Sequence, residues 1–274
     1  MKKNSLSGIF AICLTAVITV TACAQDHKQN QTRLNKINEV VKSTVLLNNY
    51  QSFIPIVGLA EKKFVSIDLG YKNQIGFDSL LNKYAPVVSL SASKYSDSAA
   101  LNDLEDDVKF YNTVIVALNS EMASKGKYIN FISSLAKNKD VVVALFGNGS
   151  ALSSFDQINA PLVWSSEDNE EAAMIAPQLI FGGIAAKQLL TRTYSTKYVQ
   201  GTGYTTNATR LKYTVPEDAG VNSNDLKEID DIVNDGIAKK ASPGMVVLVA
   251  KDGKVIYNKA FGYHTYDNLQ ADKV

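Results

Sequence analysis

The residues whose types could do chemistry in this chain are few and scattered. Glu167, Asp168, Glu170 and Glu171 sit together just past an apolar run that ends at Trp164. Paired carboxylates in such a place are the apparatus of acid–base work on a glycosidic bond. The cluster also suits a plainer role: Asp168 or Asn169 can cap the helix that follows, while the glutamates complement its positive end. Capping absorbs most of the cluster. Glu167 remains as a candidate glycan contact, because it falls at the carboxyl end of a strand, where such sheets hold ligands. Gly147-Asn148-Gly149-Ser150 follows another apolar run and opens a helical segment. Backbone N–H groups there favour an anion or a sugar hydroxyl, which makes Asn148 the second candidate contact. Tight-turn geometry alone would also demand these glycines, and neither a dinucleotide fingerprint nor a Walker lysine accompanies them.

Nucleophilic catalysis finds weaker support. Ser-x-x-Lys occurs at Ser91 to Lys94 and at Ser134 to Lys137. The first ends a strand and the second falls late in a helix, whereas a penicillin-recognising serine needs the exposed start of a buried helix. Tyr71-Lys72-Asn73 and Tyr128-Ile129-Asn130 match Tyr-x-Asn only by chance, and Lys-Thr-Gly does not occur. His27 and His264 are the only histidines and lie far apart, so neither a metal cluster nor a histidine-based triad is expected. No catalytic residue, metal or cofactor is assigned. A net charge of +1, with Lys and Arg dispersed, excludes the basic stripe that nucleic-acid binding requires.

The elements that must position these residues alternate along the chain. Leu34, Ile37, Val41 and Val45 recur at helical spacing, so a helix starts near residue 33. Apolar runs then predict five buried strands: Phe64 to Leu69, Val87 to Leu90, Val114 to Leu118, Val141 to Phe146 and Leu162 to Trp164. Between them, Ile75 to Tyr84, Ser98 to Phe110, Lys127 to Asn138, Ala151 to Gln157 and Glu170 to Lys187 read as helices. The fold expected for residues 33–195 is α/β, a doubly wound, mostly parallel sheet of about five strands. Residues 196–223 read as a linker. In residues 224–274 a helical stripe from Leu226 to Ile237 precedes two strands around Asp252-Gly253, a pair suited to a type I′ hairpin turn.

The amino terminus speaks to compartment. Lys2 and Lys3 followed by apolar Leu6 to Val20 read as a signal peptide, too short to span a bilayer. Val20-Thr21-Ala22-Cys23 resembles a bacterial lipobox, which would make Cys23 the lipidated first residue of a periplasmic or outer-membrane lipoprotein, with 24–32 as a polar tether. Cleavage after the small-x-small Ala22-Cys23-Ala24 would instead release a soluble periplasmic protein. A lipid anchor is the only membrane contact expected.

Two stretches resemble known families. Val45 to Asn49 with Ile54-Pro55-Ile56, then Ile132 to Asn148, and Glu167 to Gly183 including Leu179-Ile180-Phe181-Gly182, resemble the C-terminal domain of family 3 glycoside hydrolases of the β-N-acetylhexosaminidase type. Ala185 to Leu190 departs from that family's Pro-Ser-Gly-Lys-Leu-Pro type of turn. Ser242-Pro243-Gly244, Val246 to Ala250, Asp252-Gly253-Lys254 and Phe261-Gly262-Tyr263 are similar to the opening of class C β-lactamase-like serine hydrolases, here an incomplete second domain. The resemblance implies a place in hydrolysis of O-glycosyl bonds and cell-wall glycan turnover. It also implies that the attacking aspartate sits on an N-terminal barrel of about 200 residues, and the serine beyond Val274, both outside this chain. The expectation is an accessory or vestigial domain with a glycan as its ligand. One alternative is part of a split glycosidase completed by a separately encoded catalytic barrel, and another is a periplasmic ligand-binding module.

Overall fold

Helix α1 shows how composition turns into local structure. The computed structural model describes residues 26–94, 100–267, 270 and 273–274, so the signal segment and Cys23 lie outside the described residues. Residues 26–43 form α1, with Leu34, Ile37 and Val40 buried along one face. The periodicity would carry the helix through Val45, but it stops at residue 43. Thr44 Oγ1 donates to Val40 O at 2.7 Å and Ser43 Oγ to the same carbonyl at 3.1 Å, closing the last turn. Thr44–Leu47 then forms strand β1, with all four residues buried. Four consecutive buried side chains cannot share one helical face, whereas a strand covered on both sides accommodates them.

The five expected strands are present as β2 (Phe64–Asp68), β3 (Val87–Ser91), β4 (Thr113–Asn119), β5 (Asp140–Phe146) and β6 (Leu162–Ser165). With β1 they make a six-stranded sheet in the order β1-β6-β5-β4-β2-β3. β2 through β6 pair in parallel, and β1 runs antiparallel along β6 from Thr44 opposite Ser165 to Leu47 opposite Leu162. Val114 to Leu118 and Val142 to Phe146 are wholly buried, as strands covered on both faces must be. The crossovers are α2 (Gln74–Leu81), α3 (Ala100–Val108) and the short α4 (Ser120–Ala123) with α5 (Gly126–Leu135), while α6 (Glu170–Phe181) follows the last strand of this sheet and packs beside α2. The segment from Gly149 to Phe155 is a 3-10 helix rather than an α-helix. β2 has β3 on one side and β4 on the other, so the sheet order reverses between β2 and β4. Their carboxyl ends mark the reversal point at which such sheets take ligands.

The sheet belongs to a compact unit of residues 37–212. Residues 196–212, which read as linker in the sequence, are packed into this unit. Tyr198 is fully buried, Tyr204 N donates to Leu46 O at 2.9 Å, and Thr206 N donates to Ala186 O at 2.9 Å. Arg210 Nη1 reaches Ile56 O at 3.0 Å and also the carbonyl of Phe181. Backbone carbonyls at the end of a buried helix need donors, and a Thr- and Tyr-rich stretch without periodicity supplies them.

A second compact unit gathers residues 213–274 with the described residues of 1–36. It holds α7 (Lys227–Ala238), β8 (Gly244–Lys251) and β9 (Lys254–Gly262); β7 (Lys212–Tyr213), whose first residue is the last of the larger unit, completes a three-stranded sheet in the order β7-β9-β8. Asp252 and Gly253 both have positive φ, 52° and 75°, as the tight turn between β8 and β9 requires. His27 Nδ1 lies 3.1 Å from Glu217 Oε1, and Lys227 Nζ lies 2.6 Å from Asp26 Oδ2.

Candidate functional site

At the carboxyl edge of the sheet the chain gathers side chains distant in sequence. β2 ends at Asp68, whose Oδ1 accepts from Gly70 N at 2.8 Å and whose Oδ2 accepts from Ser91 Oγ at 2.9 Å. The turn that follows carries Tyr71 and Lys72. β4 ends at Asn119, whose Oδ1 accepts from Met122 N at 3.0 Å and caps α4. That leaves its amide nitrogen to donate to Asp168 Oδ2 at 3.4 Å. Lys72 Nζ lies 3.3 Å from the same oxygen. Asp168 Oδ1, buried, lacks a well-formed hydrogen bond, although 23% of the Asp168 side chain is exposed. A buried carboxylate oxygen short of a good donor is costly and marks a place where a ligand hydroxyl or N–H would be welcome.

Tyr71 forms one wall of this place. Its ring stacks on Phe146 of β5, with centroids 4.9 Å apart and planes 6° from parallel. Burial pushes its phenol well above the ordinary value; a hydrogen bond from Asn73 opposes this, while the negative charge of Asp168 and a hydrogen-bonding interaction with that carboxylate add to it. Tyr71 therefore stays neutral. The arrangement is one carboxylate acceptor, an ammonium and an amide as donors, and an aromatic hydroxyl, which together can hold a polar, hydroxyl-bearing ligand.

The residues expected from the sequence lie close by along the chain but do different things. Glu167 is exposed, and its backbone N–H turns back to Ser165 Oγ at 3.3 Å. Asn169, not Asp168, caps α6, accepting from Ala172 N at 2.9 Å. That division of labour is what frees Asp168 to face inward. Asn148 Oδ1 accepts from Ser150 N at 3.0 Å and caps the 3-10 helix. Gly147 has φ of +96°, a turn conformation, and a Cβ there would meet Ser120 Oγ at 3.0 Å. A Cβ on Gly149 would come within 2.2 Å of the Tyr194 ring, so packing against that tyrosine already demands the glycine.

A third Ser-x-x-Lys spacing, Ser124 to Lys127, joins α4 to α5, where Ser124 Oγ donates to Glu121 O at 2.6 Å, and the serines of the other two are likewise engaged elsewhere. Ser91 Oγ donates to Asp68, and Ser134 Oγ, near the end of α5, donates to Glu105 Oε1 at 2.9 Å. Among the described residues no group of three or more His, Cys, Asp or Glu is placed to hold a metal, and no helix is long and apolar enough to cross a membrane. Asn119, Lys72 and Tyr71 were not singled out for this edge by the sequence. The readable signal was the Asp168-Asn169 pair, since one helix needs one cap and the other residue is left over.

No protein-family model matches this chain, and no curated protein matches it. Among solved structures it is similar to a glycoside hydrolase family 3 β-N-acetylglucosaminidase from Paenibacillus sp. str. FPU-7, with 13% identity and a TM-score of 0.45 over 61% of this chain and 32% of that one. It is also similar to a fungal multi-domain family 3 β-N-acetylglucosaminidase described with a GCN5-related glucosamine N-acetyltransferase region, with 15% identity and a TM-score of 0.47 over 82% of this chain and 29% of that one. The chain thus spans about a third of the length of either structure.

Proposed function

We propose that this chain is an accessory, non-catalytic glycan-binding domain associated with an exported family 3 glycoside hydrolase activity, and that it holds its ligand at the carboxyl edge of the six-stranded sheet. The observation that carries the reading is the Asp168 carboxylate, whose buried Oδ1 lacks a well-formed hydrogen bond, flanked by Lys72, Asn119 and the Tyr71 hydroxyl at the reversal of strand order. Its chemistry fits a sugar hydroxyl or acetamido N–H. The family assignment is supported by the sequence resemblance of Val45 to Asn49, Ile132 to Asn148 and Glu167 to Gly183. The non-catalytic part is supported by Ser91 and Ser134 donating to carboxylates rather than facing their lysines.

Calorimetric titration of the full chain with a β-linked N-acetylglucosamine tetramer tests the site. Asp168→Ala should weaken binding on the order of tenfold, the loss expected for one hydrogen bond to a charged group, with little change in melting temperature. Absence of binding, or binding indifferent to Asp168, sinks the site. Turnover of a chromogenic N-acetylglucosaminide by the pure chain sinks the non-catalytic role. Export and lipidation at Cys23 belong to the same proposal. Cells expressing the chain should incorporate radiolabelled palmitate into it, and Cys23→Ser should abolish the label.

A further inference from the structure

The opposite edge of the sheet carries a cleft that the carboxyl-edge site does not use. Its volume is about 510 Å³, and it lies between the turn after β1 and the amino ends of β5 and β6. Tyr50, Gln51 and Phe53 line it together with Val141, Ala160 and Pro161. A cavity of a few hundred cubic ångströms in which apolar and polar side chains share the lining has the dimensions of a small-molecule site.

The turn that presents Tyr50 is held rigidly from below. Asn49 Oδ1 accepts from Ile54 N at 2.9 Å while Asn49 Nδ2 donates to Ile54 O at 2.7 Å, a closed pair of bonds across the turn. Asn48, buried, donates from Nδ2 to Ile158 O, Ala160 O and the Tyr198 hydroxyl. Both asparagines are spent on internal bonds, and the residues they display are left exposed: Tyr50 keeps 62% of its surface in water, touched edge-on by Tyr204 at 5.6 Å. An aromatic ring pinned in the open at the mouth of a cleft is a stacking platform already ordered before a ligand arrives.

The charges around it are already paired. Lys62 Nζ lies 3.0 Å from Asp140 Oδ2 and sits over the Phe53 ring at 4.8 Å, while Lys139 Nζ donates to Tyr111 O at 2.6 Å. Neither a charged ligand nor a metal would find an unmatched partner here. What the cleft offers is an aromatic ring, apolar side chains and the exposed amide of Gln51 beside them, the complement of a ring with one apolar face and hydroxyls around its rim. We infer that this cleft is a binding site for a neutral pyranose, with Tyr50 as the stacking platform, separate from the carboxyl-edge site and independent of it.

The test uses the full chain and tetramers of N-acetylglucosamine and of glucose, read by calorimetry and by amide chemical-shift changes. The expected result is binding of at least one tetramer with shifts at Gln51, Val141 and Ala160. Tyr50→Ala should weaken that binding at least tenfold, Tyr50→Phe should retain it, and Asp168→Ala should leave these shifts in place. Because Tyr50 is exposed and its turn is held by Asn48 and Asn49, the melting temperature of both Tyr50 variants should match that of the parent. Shifts confined to the carboxyl edge, or binding lost with Asp168→Ala but untouched by Tyr50→Ala, would overturn the cleft while leaving the other site standing. Binding by neither tetramer would overturn it as well.

Discussion

Tyr198 shows how much a single residue can decide. Its ring is fully buried, its hydroxyl accepts from Asn48 at 2.9 Å and donates to Phe155 O at 3.3 Å, and burial pushes its pKa up from 10.0 to about 12. A phenol whose folded pKa exceeds its unfolded one stabilises the fold fully below pH 10, and that stability is lost as pH rises from 10 through 12. Two units of difference correspond to about 3 kcal/mol. Urea denaturation should therefore give stability that is flat toward pH 9 and falls steeply above pH 10, with Tyr71 pulling in the same direction. Tyr198→Phe should flatten that fall. It should also cost about 1 kcal/mol at neutral pH, since Asn48 keeps its two carbonyl partners. Asp168 belongs to the same scale: with Lys72 60% exposed, their ion pair adds little stability, so its removal should show in binding rather than in melting.

The elements earn their boundaries through identifiable contacts, and two of these can be tested separately. Asn169→Ala removes the cap of α6 and should cost about 1 kcal/mol in denaturant titrations. Leu46→Ala empties a fully buried position in β1 and should cost about 2–5 kcal/mol. A much smaller loss would mean that β1 is not the sixth strand of the sheet. At the other end of α6, Gly182 has φ of +80°, and a Cβ there would meet Thr209 Oγ1 at 2.4 Å and Pro55 Cβ at 2.8 Å. The helix that the apolar pattern extends to Lys187 therefore ends at Phe181. The sequence showed five strands and most helices because apolar runs and three- or four-residue spacing are local. It missed β1 because Val45 fits the helical period of Leu34, Ile37 and Val41 as well as it fits a strand; only pairing with β6 separates the two readings.

At the scale of the whole molecule the chain is two compact units, and each carries its own core residues. In residues 37–212 the sheet and its helices bury a large apolar set, whereas the second unit rests on fewer buried residues, among them Val233, Val255, Ile256 and Phe261. A chain ending at Lys212 should accordingly keep cooperative unfolding and the far-ultraviolet circular dichroism of an α/β sheet. Limited proteolysis of the full chain should cut beyond residue 213 before it cuts within 37–212. Early cleavage inside the six-stranded sheet, or loss of cooperativity on truncation, would show that the larger unit depends on the smaller.

The sequence by itself determined the α/β class, the parallel strands, the hairpin turn at Asp252-Gly253 and the expectation that polar ligands meet the carboxyl edge, because all of these follow from periodicity and turn chemistry within a few residues of each other. The tertiary structure decided which of Asp168 and Asn169 caps α6, and it brought Asn119 and Lys72 to Asp168. It also folded residues 196–212 back over the sheet unit and placed Tyr50 beside the amino ends of β5 and β6. These are contacts between residues up to about a hundred or more positions apart. No local pattern encodes them, since strand order and the packing of long connections emerge only when the whole sheet closes its core.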